Sequence, residues 1–252
     1  MLTKYLGFYT NALKNQAFKC CYIDAFAGSG EVNIPGSGTA PGSAILALDY
    51  PFDRYIFIEK DPRNTASLQK RIGTKNVEIL EGDCNQHLVE VCSYPWKLQG
   101  WRGIIFLDPF ATELHWSSLR EIANKEAFDV WYLFPLMAMN RLLRRDRNIP
   151  DGHRTIIDNL LGTTDWESEI YRLSPQMSIF EDEFEKAPIE AIKNYVISRL
   201  KTVFPAVSQN AKVLTTVKTN TPMFLLCFAT SNPSHKAIGL ALRAANHILT
   251  HT

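Results

Sequence analysis

Five short runs in the first 135 residues are apolar throughout, and each ends at a polar turn: Cys20 to Ile23, Arg54 to Ile58, Val77 to Leu80, Gly103 to Leu107 and Asp129 to Phe134. A strand apolar on both sides has to be covered on both sides. Between the runs lie helical patterns such as Arg63 to Ile72 and Trp116 to Ala123. Apolar strands alternating with helices predict βαβ units and a buried parallel sheet.

The end of the chain follows another rule. Lys212 to Lys218 and Met223 to Thr230 are separated only by Thr219 to Pro222, too short for a crossover helix, so these two strands are expected to be antiparallel. Asn232-Pro233 then offers an N-cap and a first-turn proline for a last helix with an apolar stripe at Ala237, Leu240, Ala241, Ala244 and Ile248. Residues 137 to 204 lack a Val/Ile-rich strand and read as helices: an inserted helical lid over 137–187 within one domain spanning 1–252, then a helix from Ile189.

Composition narrows the class. With 252 residues, 46% hydrophobic, 21% charged and a net charge of +1, the chain is neither disordered nor a generally basic nucleic-acid coat. No apolar run reaches the ~20 residues of a membrane span. Asn11, Lys14 and Asn15 interrupt what a signal peptide keeps apolar, so a cytoplasmic location is expected. The five cysteines form no CxxC pair and read as buried hydrophobes, and His115 and His153 lack partners at ligand spacing, so no metal is expected.

In an open parallel sheet, ligands bind beyond the carboxyl ends of the strands. Asp24, Glu59, Asp83 and Asp108 fall at four such ends. Each alone reads as a turn former or N-cap; together they converge on one rim. Behind strand one, Gly28 and Gly30 begin a glycine-rich loop that continues through Gly36, Gly38 and Gly42. A dinucleotide fingerprint would place a third glycine where Asn33 stands, and Pro35 and Pro41 delay the next helix, which disfavours a nicotinamide-dependent oxidoreductase. Asp24 suits a positively charged ligand group, Glu59 a ribose diol and Asp83 an adenine amino group, which together describe S-adenosylmethionine. After strand four, Asp108-Pro109-Phe110 offers acceptors for an amino group and a stacking face; the bland reading is a turn with a core phenylalanine.

These motifs resemble class I S-adenosylmethionine-dependent methyltransferases. More narrowly, YIDAFAGSG, GSAILAL, FIEKD, GDCN and FLDPF followed by Trp116 stand in the order of the three-Cys-motif partner family. The resemblance implies a Rossmann-like α/β sheet of order 3-2-1-4-5-7-6 with strand seven antiparallel. It implies that Asp24, Gly28 and Gly30 line the methionine end of the cofactor, Glu59 holds the ribose and Asp83 the adenine, with Phe26, Lys60 and Cys84 beside them in the same motifs. Asp108, Pro109 and Phe110 fall where amino-methyltransferases carry Asp-Pro-Pro-aromatic, here without the second proline. Methylation of an amino group on a nucleic-acid base, RNA or DNA, is the implied activity. A non-catalytic cofactor-binding module docking a three-Cys-motif partner protein is the alternative. Arg141, Arg144, Arg145 and Arg147, with Arg154 beyond, form either a solvated helix face or a phosphate contact for nucleic acid.

Overall fold

The computed structural model describes the chain apart from residues 35, 37, 74–75, 145–146, 174–183, 187 and 252. In chain order the elements are α1 (Leu2–Leu13), β1 (Lys19–Asp24), β2 (Glu31–Ile34), β3 (Gly38–Pro41), α2 (Ser43–Ala47), β4 (Arg54–Glu59), α3 (Pro62–Ile72), β5 (Val77–Glu81), α4 (Cys84–Ser93), β6 (Trp101–Leu107), α5 (Trp116–Ala123) and β7 (Phe128–Phe134). They continue with α6 (Leu136–Leu142), α7 (Asp151–Leu161), α8 (Trp166–Ile170), β8 (Tyr171–Leu173), β9 (Phe184–Lys186), α9 (Ile189–Lys201), β10 (Ala206–Val207), β11 (Lys212–Thr215), β12 (Pro222–Thr230) and α10 (His235–Thr250).

The main sheet runs β10-β12-β7-β6-β1-β4-β5, with β11 also paired to β12. β1, β4, β5, β6 and β7 are mutually parallel where they pair, and β12 lies antiparallel to β7. Counting the five parallel strands one to five and β12 as seven gives the order 3-2-1-4-5-7, with the sixth position filled by two pieces. β10 faces Ala229 and Thr230, while β11 faces the earlier part of β12, from Pro222 to Leu226. The Ser208 N–H donates to the Phe228 carbonyl at 2.9 Å, carrying the ladder across the break. This is the Rossmann-like class I methyltransferase sheet that the sequence resemblance implies.

Alternation along the strands explains the two layers. Cys21, Ile23, Ile56, Ile58, Ile105, Leu107, Val130 and Tyr132 face one core, which includes Leu88 of α4, Leu119 of α5, Leu160 of α7 and Val196 of α9. Tyr22, Phe57, Ile104, Phe106, Trp131 and Phe228 face the other, with Tyr5 and Leu6 of α1, Ala44 of α2, Leu68 of α3 and Ile248 of α10. All five cysteines are buried free thiols.

Four local features differ from the sequence reading. The glycine-rich loop contains a hairpin, β2 paired with β3, because Gly36 at φ +79° turns the chain between two short extended segments. The 137–187 segment is not all helical, since β8 and β9 pair as a hairpin. Its helices are also part of the main core: Ile157, Leu160, Leu161, Trp166 and Ile170 belong to the cluster under the sheet. The last helix starts at His235 with Ser234 as N-cap, because the Asn232 side chain accepts the Ser234 N–H at 3.0 Å and closes its own turn first.

Gly103 sits at the sheet centre, where an added Cβ would stand 2.8 Å from the Cys21 carbonyl oxygen and 2.9 Å from the Phe128 ring. Gly103→Ala is expected to lower the unfolding free energy by about 2 kcal/mol. Gly239→Ala, on the exposed face of α10 with nothing within 4 Å of the new methyl, is expected to raise it by about 0.5–1 kcal/mol. Urea titration of both variants checks the pair.

Candidate cofactor and substrate cavity

Beyond the carboxyl ends of the parallel strands lies a cavity of about 900 Å³, within the size range of small-molecule sites. Its walls come from the turns after β1, β4, β5, β6 and β7, with Met223 and Phe224 of β12 closing one side. The sheet places these turns side by side because its strands are parallel and in neighbouring registers.

Glu59 ties the first two turns together. Its Oε2 accepts the Gly28 N–H at 2.8 Å, and its Oε1 accepts the Asp61 N–H at 2.8 Å and the Asn64 side-chain amide at 3.3 Å. Gly28 lies at φ +61°, a left-handed conformation that glycine adopts without cost and that belongs to the turn presenting this N–H. Asp61 then caps α3, with Pro62 at its first position.

Asp83 has two roles. Its Oδ1 accepts the N–H groups of Asn85 at 3.0 Å and Gln86 at 3.3 Å, capping α4. The residue also lines the cavity, and its second oxygen takes no protein donor among the described residues. Asn85 staples the next turn in place: its amide donates to the Glu113 carbonyl at 2.9 Å, and its oxygen accepts the His115 N–H at 2.9 Å and the Ser118 hydroxyl at 2.8 Å. The turn so held carries Asp108, Pro109 and Phe110. Phe110 is 80% exposed, so it is no core residue; it stands at the cavity edge, followed by Ala111 at φ +54°. Asp108 faces the cavity, and desolvation by the surrounding protein pushes its carboxyl up to about 6.

Phe26, Gly28, Glu59, Lys60, Asp83, Cys84, Asp108, Pro109 and Phe110 therefore share one cavity. Asp24 and Gly30 do not line it. Asp24 is fully buried; the Tyr22 hydroxyl donates to it at 3.2 Å and the Phe26 N–H at 3.3 Å, with the Ser43 hydroxyl also bonded. Burial raises its carboxyl to about 7 against those hydrogen bonds. Gly30 packs below the turn, its carbonyl accepting the Gly42 N–H at 2.8 Å. Both residues shape the turn from beneath.

The arginine cluster separates. Arg141 lines the cavity, with Nη2 3.6 Å from the Met137 sulfur. Arg147 and Arg154 both bind Glu167, the former at 3.1 Å, and so hold α7 to α8. Arg144 is exposed beyond α6, and Arg145 lies outside the described residues. Glu113, Met223 and Phe224 carried no sequence signal of their own, since each meets the site through contacts distant in sequence; Asn64 enters through Glu59, five residues before it, and Asn85 stood in the GDCN motif without a role.

The cavity is acidic. Glu59, Asp61, Asp83, Asp108 and Glu113 line it, against Lys60 and Arg141. Lys60 is itself paired with Glu113 at 3.4 Å. Such a lining repels a pyrophosphate and suits a ligand carrying positive charge and hydroxyl or amino donors. Among the described residues no group of His, Cys, Asp and Glu stands in an arrangement able to hold a metal ion, and no helix is long and apolar enough to cross a membrane.

No family model matches the chain, and no curated protein does. Among solved structures it is similar to a Legionella pneumophila protein, at 14% identity and TM-score 0.47, over 98% of this chain and 90% of that one. An S-adenosylmethionine-dependent methyltransferase of Mesorhizobium loti is similar at 12% identity and TM-score 0.37, over 90% and 97%. The plantazolicin methyltransferase BamL, solved with a desmethyl plantazolicin analogue and S-adenosylhomocysteine, is similar at 12% identity and TM-score 0.40, over 91% and 83%. Likeness at this level carries no residue correspondence, and the site rests on its own geometry.

Asp24 and Asp108 are both raised in the folded state, so the stability they contribute is complete below the unfolded carboxyl value and is lost as pH rises through about 6 and 7. Unfolding free energy is expected to fall between about pH 4 and about pH 7, and Asp24→Asn to flatten that slope. Urea unfolding of both proteins across this range checks the sign.

Proposed function

We propose that the chain is an S-adenosylmethionine-dependent methyltransferase that acts on an amino nitrogen of a nucleic-acid base. The carrying observation is the acid-lined cavity at the carboxyl edge of a 3-2-1-4-5-7 sheet, with Glu59 and Asp83 on adjacent turns. The residues present fit the cofactor. The unpartnered oxygen of Asp83 is an acceptor for an adenine amino group, and Glu59 has acceptor capacity beyond its three protein donors for a ribose hydroxyl. Ala25, Ile58, Cys84 and Pro109 supply apolar walls. When bound, the cofactor supplies an electrophilic methyl group on a sulfonium.

The protein's task is then alignment and the handling of one proton. Asp108 accepts a hydrogen bond from the target amino group, raising the availability of its lone pair, and takes up the proton released after transfer. A carboxyl near 6 is a better acceptor than one in the ordinary range. Pro109 is buried and fixes the turn, while exposed Phe110 offers its face to a planar base. Arg141, across the cavity, is the phosphate contact of this reading, and Arg144 lies further along the same approach.

The finer family reading, a three-Cys-motif partner, rests on the order of YIDAFAGSG, FIEKD, GDCN and FLDPF and brings with it a partner protein.

S-adenosylhomocysteine at a hundredfold excess over its dissociation constant is expected to stabilise the protein by about 2.7 kcal/mol, roughly 5–10 °C in melting temperature. Glu59→Gln and Asp83→Asn are expected to reduce that shift. Asp108→Asn is expected to keep it while lowering transfer of a labelled methyl group to RNA or DNA by about 100-fold or more. No shift with the adenosyl ligands, or full turnover in Asp108→Asn, overturns the assignment.

A further inference from the structure

A second cavity, of about 600 Å³, opens at the opposite edge of the sheet, between α1 and α10 and above the amino ends of β6 and β7. Asp129, the second residue of β7, lines it. Its Oδ2 accepts the Tyr5 hydroxyl at 2.7 Å, and the Thr230 hydroxyl is its other donor. Both donors are neutral, so this desolvated carboxylate has no ionic partner among the described residues, although three basic side chains line the same cleft. Lys97 is paired with Glu126. Arg102 lies over the Phe18 ring, 4.4 Å from its centre, and donates to the Trp101 carbonyl at 2.6 Å. Lys236 is exposed in the first turn of α10. Asp129 and Arg102 line this cleft together with the buried Tyr9, and among the described residues no ion pair joins the two charges. Around them the wall is apolar: Phe8, Leu13, Phe18 and Leu240, the last two 38% and 40% exposed.

We infer that this cleft binds a small zwitterion with an apolar body, a free aromatic α-amino acid, whose ammonium rests against Asp129 and whose carboxylate faces Arg102. An ammonium gives Asp129 the ionic partner it lacks, and the Tyr5 and Tyr9 rings beside it favour a cation. A simple amine would leave its other end against Arg102 and Lys236 with nothing to pair them. A simple carboxylic acid would bring a second anion toward Asp129. A ligand that carries both charges serves both groups, and its side chain covers the exposed apolar wall. The site is independent of methyl transfer, since it lies at the other edge of the sheet.

The test is calorimetric titration of the full chain with L-phenylalanine, phenethylamine and 3-phenylpropionate. L-phenylalanine is expected to bind at least tenfold more tightly than either analogue, about 1.4 kcal/mol. Asp129→Asn and Arg102→Gln are each expected to remove most of that advantage, and Ala237→Trp, which adds bulk to the cleft wall, to abolish binding of all three. Far-UV circular dichroism and urea unfolding of each variant serve as the control for folding. No binding of L-phenylalanine to the wild-type chain overturns the inference, as does equal affinity for an analogue carrying one charge. If Asp129→Asn fails to fold for want of the Tyr5 anchor, Arg102→Gln and the analogue series decide: unchanged affinity in that variant overturns the inference, and a tenfold loss supports it.

Discussion

Burial of the central strands on both faces is the constraint on which the remaining structure depends. A strand such as Cys20 to Ile23 or Ile104 to Leu107 has no side open to water, so it has no place along its length for a charge that functions in solution. Polar groups are displaced to the strand ends, and a parallel sheet gathers those ends at two edges. The carboxyl edge collects Glu59, Asp83 and Asp108; the amino edge collects Arg102 and Asp129. Both cavities are thus consequences of one packing rule.

The acids at these ends still differ in character. Glu59 is the last residue of β4 and Asp83 stands two residues past β5, and backbone N–H groups of the following turn or helix meet both. Asp24 is the last residue of β1, as Glu59 is of β4, yet it remains inside the protein, held by two hydroxyls and a backbone N–H. Place in the strand does not separate an acid that lines the cavity from one that braces the turn beneath it; the groups each meets do.

Strand content was legible in the sequence because it follows from local composition: five apolar runs and a close antiparallel pair are observed as β1, β4, β5, β6, β7, β11 and β12. So was the convergence of most candidate residues, since topology alone brings strand ends together. What escaped was decided by partners far along the chain. Nothing local distinguishes buried Asp24 from cavity-lining Asp83. Arg147 and Arg154 read as part of a basic stripe until Glu167, packed opposite them from α8, claims both. Asn85 reveals itself as a staple only through Glu113, His115 and Ser118, about thirty residues on. Phe110 could be core or surface from sequence alone; the positive φ of Ala111 accompanies a turn that leaves the ring in solvent.

These placements bear on what the carboxyl edge can discriminate. Its acid-rich half is built from backbone-anchored groups, with Glu59 fixed by three donors and Asp83 by a helix terminus, so its shape is set before any ligand arrives. The lining also includes Phe110, Met137, Arg141 and Met223, longer side chains with fewer hydrogen bonds. Preorganisation lowers the entropy lost on binding, so the rigid half is suited to one recurring ligand and the adaptable half to acceptors that vary. That division is what the proposed methyl transfer asks of the site, where one molecule donates a group and another receives it.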